Sequence, residues 1–195
     1  MGLSIVEKPT PAGEAELVAA CVAGDQTAQR TLFRREYPRV HATVYRILGP
    51  SREQDDLVQE TFIAVFRGLP RFRGDSRLST WIDRIAVRVV FEHIRERGKL
   101  PIPLGVVEDE NASSPEVDAQ AYARDGLRRL YAALGELVPE QRLAFALYAI
   151  DGRSIADVAR LTGVTAVTAK VRIWRARREL TKLAENDPVL KEQVS

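Results

Sequence analysis

Residues Ser154 to Leu180 constrain the fold more than any other stretch, because they predict two helices joined by a tight turn. Ser154 is followed three residues later by Asp157, a pairing in which each side chain can satisfy a backbone N–H at a helix start. Gly163 suits the position after a helix end, where the backbone needs a positive φ, and Thr165 can cap the helix that follows. The segment is therefore predicted to be a helix-turn-helix.

The second of these helices has one apolar side and one strongly basic side. The apolar side consists of Ala169, Ile173, Ala176 and Leu180, spaced as one buried stripe. The basic side is expected to enter the major groove of duplex DNA, with early turns on base edges and later arginines on phosphates. Its candidate contact residues are Thr168, Lys170, Val171, Arg172, Trp174, Arg175 and Arg178. The pattern is also compatible with a solvated basic helix on a helical bundle.

Composition excludes several classes of protein. The net formal charge is only +2 in a chain that is 45% hydrophobic, so the basic helix is a local feature. The single cysteine, Cys21, rules out an internal disulfide and a cysteine-rich zinc site. No phosphate-binding glycine loop or nucleophile elbow is visible, so we expect no enzyme, no cofactor and no metal ion. No apolar run reaches the length of a membrane span and no signal peptide is visible, which predicts a cytoplasmic protein without membrane insertion.

A helix predicted from Ser51 to about Leu69 carries an unusual outer face. Ser51 with Gln54 resembles a second capping pair. The outer face holds Asp56, Gln59, Glu60 and Ile63. One apolar contact ringed by polar groups suits docking to another protein. A lone exposed isoleucine is equally normal on any surface, so this segment by itself leaves both interpretations open.

A basic loop and a basic-aromatic helix follow. The loop contains Phe72, Arg73 and Arg77, and Ser79 is predicted to cap the next helix. Along that helix one stripe combines cations with aromatic rings: Trp81, Arg84, Arg88, Phe91 and Arg95. Cations beside flat rings are the chemistry of single-stranded nucleic acid binding. Trp81 and Phe91 are equally compatible with simple core positions.

These segments predict an all-α fold of two small helical domains joined by a flexible acidic linker. The domains are expected at 14–98 and 121–183, the second ending in the helix-turn-helix. The linker at 99–120 contains prolines, Glu108, Asp109 and Glu110, so its charge should keep it extended and away from DNA. A short polar tail is expected after Leu183.

Taken in order, the motifs closely resemble the extracytoplasmic-function (ECF) sigma factors of bacterial RNA polymerase, over about residues 15–182. In the first half the matching stretches are Asp55 to Phe62, Phe72-Arg73-Gly74, Ser79 to Ile82 and Arg84-Ile85-Ala86. In the second half they are Ile155 to Ala159, Gly163-Val164-Thr165, Thr168, Lys170, Arg172 and Arg175-Ala176-Arg177. The ordered set is far more specific than any one stretch.

The resemblance implies a role for each candidate surface. The 14–98 domain corresponds to sigma region 2, whose Asp56, Gln59, Glu60 and Ile63 would bind the coiled coil of the largest subunit of core RNA polymerase. Capture and melting of the −10 promoter element would fall to Phe72, Arg73, Arg77, Trp81, Arg84, Arg88, Phe91 and Arg95. The 121–183 domain corresponds to region 4, whose basic helix would read the −35 element as duplex. An anti-sigma factor is an expected partner.

Two positions depart from the family pattern. Arg88 stands where most relatives carry asparagine, so the usual contact cannot be transferred there, although arginine suits a phosphate. Val171 replaces a commonly small polar residue, which is expected to shift promoter preference.

Two other functions are compatible with parts of the sequence. A conventional helix-turn-helix regulator, with 14–97 as a sensing or dimerising domain, explains the basic helix but not the Trp81–Arg95 stripe. A helical enzyme would use Asp55, Asp56 and Glu60 as metal ligands, although these acids are not expected to face one way.

Overall fold

The computed structural model describes residues 12–98, 115–185 and 187–194, and within these ranges the regular structure is entirely helical. The α-helices are α1 (Ala12–Val22), α2 (Gln26–Leu48), α3 (Gln54–Gly68), α4 (Leu78–Arg97), α5 (Pro115–Gly135), α6 (Pro139–Phe145), α7 (Ile155–Thr162), α8 (Ala166–Ala184) and α9 (Pro188–Val194). A 3₁₀ turn (Leu69–Arg71) follows α3, and a π-helical turn (Ala146–Ile150) continues α6. The all-α prediction is confirmed. Most of the predicted linker lies outside the described residues, and α5 begins within its range.

A local side chain caps α2, whereas the predicted cap of α3 does not form. Asp25 caps α2, and its Oδ1 accepts hydrogen bonds from the N–H groups of Thr27 (2.7 Å) and Ala28 (3.2 Å). The Ser51 cap is wrong, because α3 begins at Gln54 and the Ser51 hydroxyl accepts from the Glu53 N–H instead.

The predicted Ser79 cap is also wrong, because α4 begins one residue before it. Leu78 is the first residue of α4, and its N–H donates to a carboxylate oxygen of Glu14 at 3.4 Å. Glu14 of the distant helix α1 therefore supplies the hydrogen-bond acceptor at the start of α4 that Ser79 was expected to supply. A local pattern could not show this, because Glu14 reaches α4 only through the tertiary fold.

The N-terminal unit packs α3 and α4 against the long helix α2. Leu32, Val40, Val44 and Ile47 of α2 are fully buried there, as are Val65 of α3 and Ile82 of α4. The same packing turns Asp56, Gln59, Glu60 and Ile63 outward on α3, which leaves that face accessible.

The C-terminal unit gathers α5, α8 and α9 around a second cluster that includes Tyr131, Leu134, Leu180 and Leu190. The chain after Leu183 was expected to be a polar tail, and this prediction is wrong. Leu190 of α9 is only 4% exposed, since it closes the cluster against α5 and α8.

The two units pack directly against each other. Leu143, Leu147 and Val158 of the C-terminal unit belong to the same buried cluster as α2, α3 and α4. Tyr131 lies on Gly49, and its hydroxyl donates to the carbonyl of Arg46 at 2.8 Å. Helix α4 also contacts α6 and α7 across this boundary. The chain therefore adopts one closed arrangement in which one of its two buried clusters spans both units.

Buried charges reinforce this boundary. Asp151, whose side chain is fully buried, pairs with Arg46 of α2 at 2.8 Å and with Arg153 at 2.6 Å. Arg153 also reaches Asp83 of α4 at 3.4 Å, and Asp83 in turn pairs with Arg39 at 2.9 Å. Burial raises the pKa of Asp83 above its ordinary value, although Arg39 and Arg153 oppose that rise. We call these five residues the interdomain ion cluster.

Candidate nucleic-acid interface

The outer face of α3 presents the four predicted docking residues together. Asp56, Gln59, Glu60 and Ile63 are all exposed, and 44% of Ile63 is open to solvent. They share one face because their spacing of three to four residues matches the helical repeat. The arrangement predicted from sequence is therefore present, with an apolar centre and polar neighbours.

An aromatic groove beside this face was missed by the sequence analysis. It has a volume of about 530 Å³ and is lined by Phe33 and Tyr37 of α2 and by Phe62, Ile63 and Phe66 of α3. Phe33 is 38% exposed, and its ring centroid lies 4.6 Å from that of Phe62. The available signal was the four-residue spacing of both aromatic pairs, but only the tertiary structure brings α2 and α3 together.

The basic-aromatic stripe of α4 is partly open. Arg88 and Arg95 are exposed, whereas Trp81, Arg84 and Phe91 are half-buried. Phe72 of the preceding loop packs on Trp81 with 5.2 Å between ring centroids, and Arg73 and Arg77 of that loop are exposed. The stripe is therefore neither sealed in the core nor fully presented to solvent.

The helix-turn-helix covers part of this stripe. Between them lies a cleft of about 470 Å³, with Trp81, Arg84, Arg88 and Phe91 on the α4 side. The opposite wall is formed by Arg160, Leu161, Thr162, Gly163 and Arg172. Four arginines thus line one cleft. Arg172, which was predicted with the duplex-reading residues, lines this cleft beside α4.

The turn of the helix-turn-helix forms as predicted. The Ser154 hydroxyl accepts from the Asp157 N–H at 3.1 Å and donates to the Asp157 carboxylate at 2.6 Å. This hydrogen bond, with help from Arg160, holds the pKa of Asp157 below its usual range. Gly163 has φ of +69°, and the Thr165 hydroxyl accepts from the Thr168 N–H at 3.1 Å.

Helix α8 is anchored along the predicted apolar stripe. Ala169, Ile173, Ala176 and Leu180 are all buried. The opposite side carries Lys170, Val171, Trp174, Arg175 and Arg178, all exposed, with Thr168 half-buried at its edge. The Arg178 guanidinium lies 5.0 Å from the centroid of the Trp174 ring. Val167, which is 74% exposed, was missed although it is one turn before Val171.

The structure offers no support for the metal-dependent alternative. Among the residues that it describes, no group of three or more histidine, cysteine, aspartate or glutamate side chains is arranged to hold a metal ion. None of the helices in these ranges combines the length and apolar character that crossing a membrane requires.

Comparisons with known proteins fit the two units. Residues 32–100 match the family model of sigma-70 region 2, and residues 127–180 match that of sigma-70 region 4. The chain is 36% identical over 170 residues to the ECF sigma factor SigM of Mycobacterium tuberculosis, covering 87% of this chain and 84% of SigM. It is 34% identical over 173 residues to the ECF sigma-E factor of Escherichia coli, covering 83% of this chain and 88% of that protein.

A solved structure shares the fold. CnrH, determined in complex with the cytosolic domain of CnrY, superposes with a TM-score of 0.59 at 26% identity, covering 88% of this chain and 97% of CnrH. The two matched regions follow each other along the chain in the predicted order. The chain therefore belongs to the ECF family of RNA polymerase sigma factors.

Proposed function

We propose that this sigma factor divides promoter recognition between its two units, 14–98 and 121–183, joined by residues 99–120. The N-terminal unit docks on core RNA polymerase and captures the −10 element as single strand. The C-terminal unit reads the −35 element as duplex. Because each contact is weak by itself, linkage through polymerase makes the combined interaction strong and sensitive to spacing. The chain makes and breaks no covalent bond, and it acts in the cytoplasm, where polymerase works.

The observation that carries this proposal is the difference in chemistry between the two basic surfaces. On α4, aromatic rings alternate with cations, and bases released from a duplex can stack on such rings. On α8, the exposed side is basic, and the major groove of duplex DNA is wide enough to admit an α-helix. A conventional regulator would need the second surface but not the first.

The docking assignment rests on α3. Asp56, Gln59, Glu60 and Ile63 provide an accessible apolar contact with hydrogen-bonding neighbours, and the adjoining groove with Phe33 and Phe66 enlarges the apolar area. Interfaces between proteins commonly combine an apolar centre with a polar rim. We propose core polymerase as the main occupant of this surface. An anti-sigma factor is proposed as a second partner, since the related CnrH has been solved with a protein domain bound.

In vitro transcription with purified core polymerase tests the whole proposal. With this protein as the sole sigma factor, we expect transcripts with defined 5′ ends. A conventional regulator would support no initiation without another sigma factor, and that result would contradict the proposal.

Two sets of variants separate the two contacts. The double variant Gln59→Ala, Glu60→Ala should lose capture by core polymerase, whereas Glu136→Ala, an exposed acid of the other unit, should not. Arg175→Ala should weaken binding to −35 duplex without affecting capture, and the exposed Arg128 supplies the matched control Arg128→Ala. Equal losses of Arg175→Ala in both assays would count against the assignment of α8.

A further inference from the structure

Three apolar side chains form an exposed stripe along the basic side of α8. Val167, Val171 and Trp174 follow the helical repeat, and their exposed fractions are 74%, 39% and 57%. Isolated exposed apolar residues are ordinary on protein surfaces. A continuous stripe of three on one basic helix is less easily explained, because the inner side of α8 already carries its core contacts at Ala169 and Ile173.

The charges around this stripe define what can cover it. Lys170 and Arg175 flank it, and Arg178 lies over the Trp174 ring. An occupant must therefore be anionic at its edges and apolar in its middle. The major groove of duplex DNA meets both conditions, since phosphates border it and thymine places a C5-methyl group on its floor.

We propose that Val167 and Val171 contact thymine C5-methyl groups and so bias the upstream promoter element toward thymine at those positions. This inference rests on the proposed −35 role of α8 and specifies what the helix reads. Four helical residues advance about 6 Å along the axis, and base pairs are stacked about 3.4 Å apart. The two valines therefore match thymines about two base-pair steps apart.

Deoxyuridine provides a direct test, because it differs from thymidine only by lacking the methyl group. The probe is the strongest promoter found by mapping transcript 5′ ends made by the holoenzyme in vitro. Each thymine of its upstream element is replaced singly by deoxyuridine, and holoenzyme affinity is measured. We expect a loss of about twofold to fourfold at one or two positions, the effect of one buried methyl group.

Protein variants then assign each methyl group to a valine. Val171→Ala should bind the thymine and deoxyuridine duplexes equally at one position, and Val167→Ala should do so at the other. Leu183→Ala removes an exposed apolar side chain (43% exposed) from the last turns of the same helix, and it should keep the wild-type discrimination.

Several results would overturn the inference. Equal binding of all deoxyuridine duplexes by the wild-type holoenzyme, with promoter binding intact, would refute methyl recognition and leave the proposed function standing. Weaker capture of core polymerase by Val167→Ala and Val171→Ala without DNA would show that the stripe docks a protein instead. A holoenzyme that binds no promoter would remove the proposed function together with this inference.

Discussion

At the scale of single residues, the Ser154–Asp157 pair is a capping motif whose effect on the free energy of unfolding can be measured. The serine hydroxyl accepts from the Asp157 N–H and donates to its carboxylate, which holds the pKa of Asp157 below the usual range. A carboxyl group whose pKa falls on folding stabilises the protein above its unfolded pKa. That contribution is lost as the pH falls through the folded pKa, so α7 should weaken in acid.

Ser154→Ala should therefore have two effects. It should lower the free energy of unfolding by about 1 kcal/mol at neutral pH, the usual cost of losing an N-cap. It should also raise the pKa of Asp157 toward its ordinary value, because the largest cause of the depression is removed. Chemical denaturation and an NMR titration of the Asp157 carboxyl group measure these effects.

Ser79→Ala is the matched control for this prediction. Ser79 lies inside α4 and does not cap it, so its loss should change the free energy of unfolding by less than about 0.5 kcal/mol. If Ser154→Ala were as stable as Ser79→Ala, the capping role of Ser154 would be contradicted.

At the scale of helices, α9 contributes a buried core residue that the sequence pattern did not predict. Leu190 is 4% exposed against α5 and α8, and Asp187 pairs with Arg129 of α5 at 2.9 Å. The segment was expected to be a tail because it is short and polar. Only packing against the preceding helix α8 and the distant helix α5 gives Leu190 its apolar contacts.

Leu190→Ala should lower the free energy of unfolding by about 2–5 kcal/mol, the cost of a cavity in a packed core. Leu183→Ala, at an exposed position on α8, should cost far less. Denaturant titration of the two variants compares them directly. Similar values would mean that α9 does not hold Leu190 in the core.

At the scale of the whole molecule, closure of the two units limits access to α4. Tyr131 lies on Gly49, and the interdomain ion cluster ties Asp83 of α4 to Asp151 and Arg153. This closure also buries two ionisable side chains. Burial raises the pKa of the Tyr131 phenol and lowers the pKa of the nearby Arg142 guanidinium to about 10. In this arrangement Trp81 and Phe91 face the helix-turn-helix across the arginine-lined cleft rather than open solvent.

Gly49→Ala should separate the N-terminal unit from the C-terminal unit. Gly49 has φ of +83°, and a Cβ added there would lie 2.5 Å from Cγ of Tyr131. The variant should have a larger radius of gyration by small-angle scattering. It should also bind a labelled single-stranded oligonucleotide more tightly than wild type, because α4 is uncovered.

Gly24→Ala separates this effect from backbone strain. Gly24 has a similar φ of +89°, but a Cβ there would meet nothing within 4 Å. It should therefore keep the wild-type radius and oligonucleotide affinity. If both variants gave the same radius, closure through Tyr131 and Gly49 would be refuted.

The sequence by itself determined the helices other than α9, the turn at Gly163 and the two basic surfaces, because these depend on spacing along the chain and on local capping. It also predicted the outward face of α3, since helical periodicity fixes which side chains share a face. Only the tertiary structure decided that Glu14 caps α4, that Phe33 and Phe62 line one groove, and that Arg172 lines the cleft beside α4. Each of these contacts joins residues that are far apart in the chain and that meet only because the helices pack together. A local sequence pattern cannot predict which distant residues will meet.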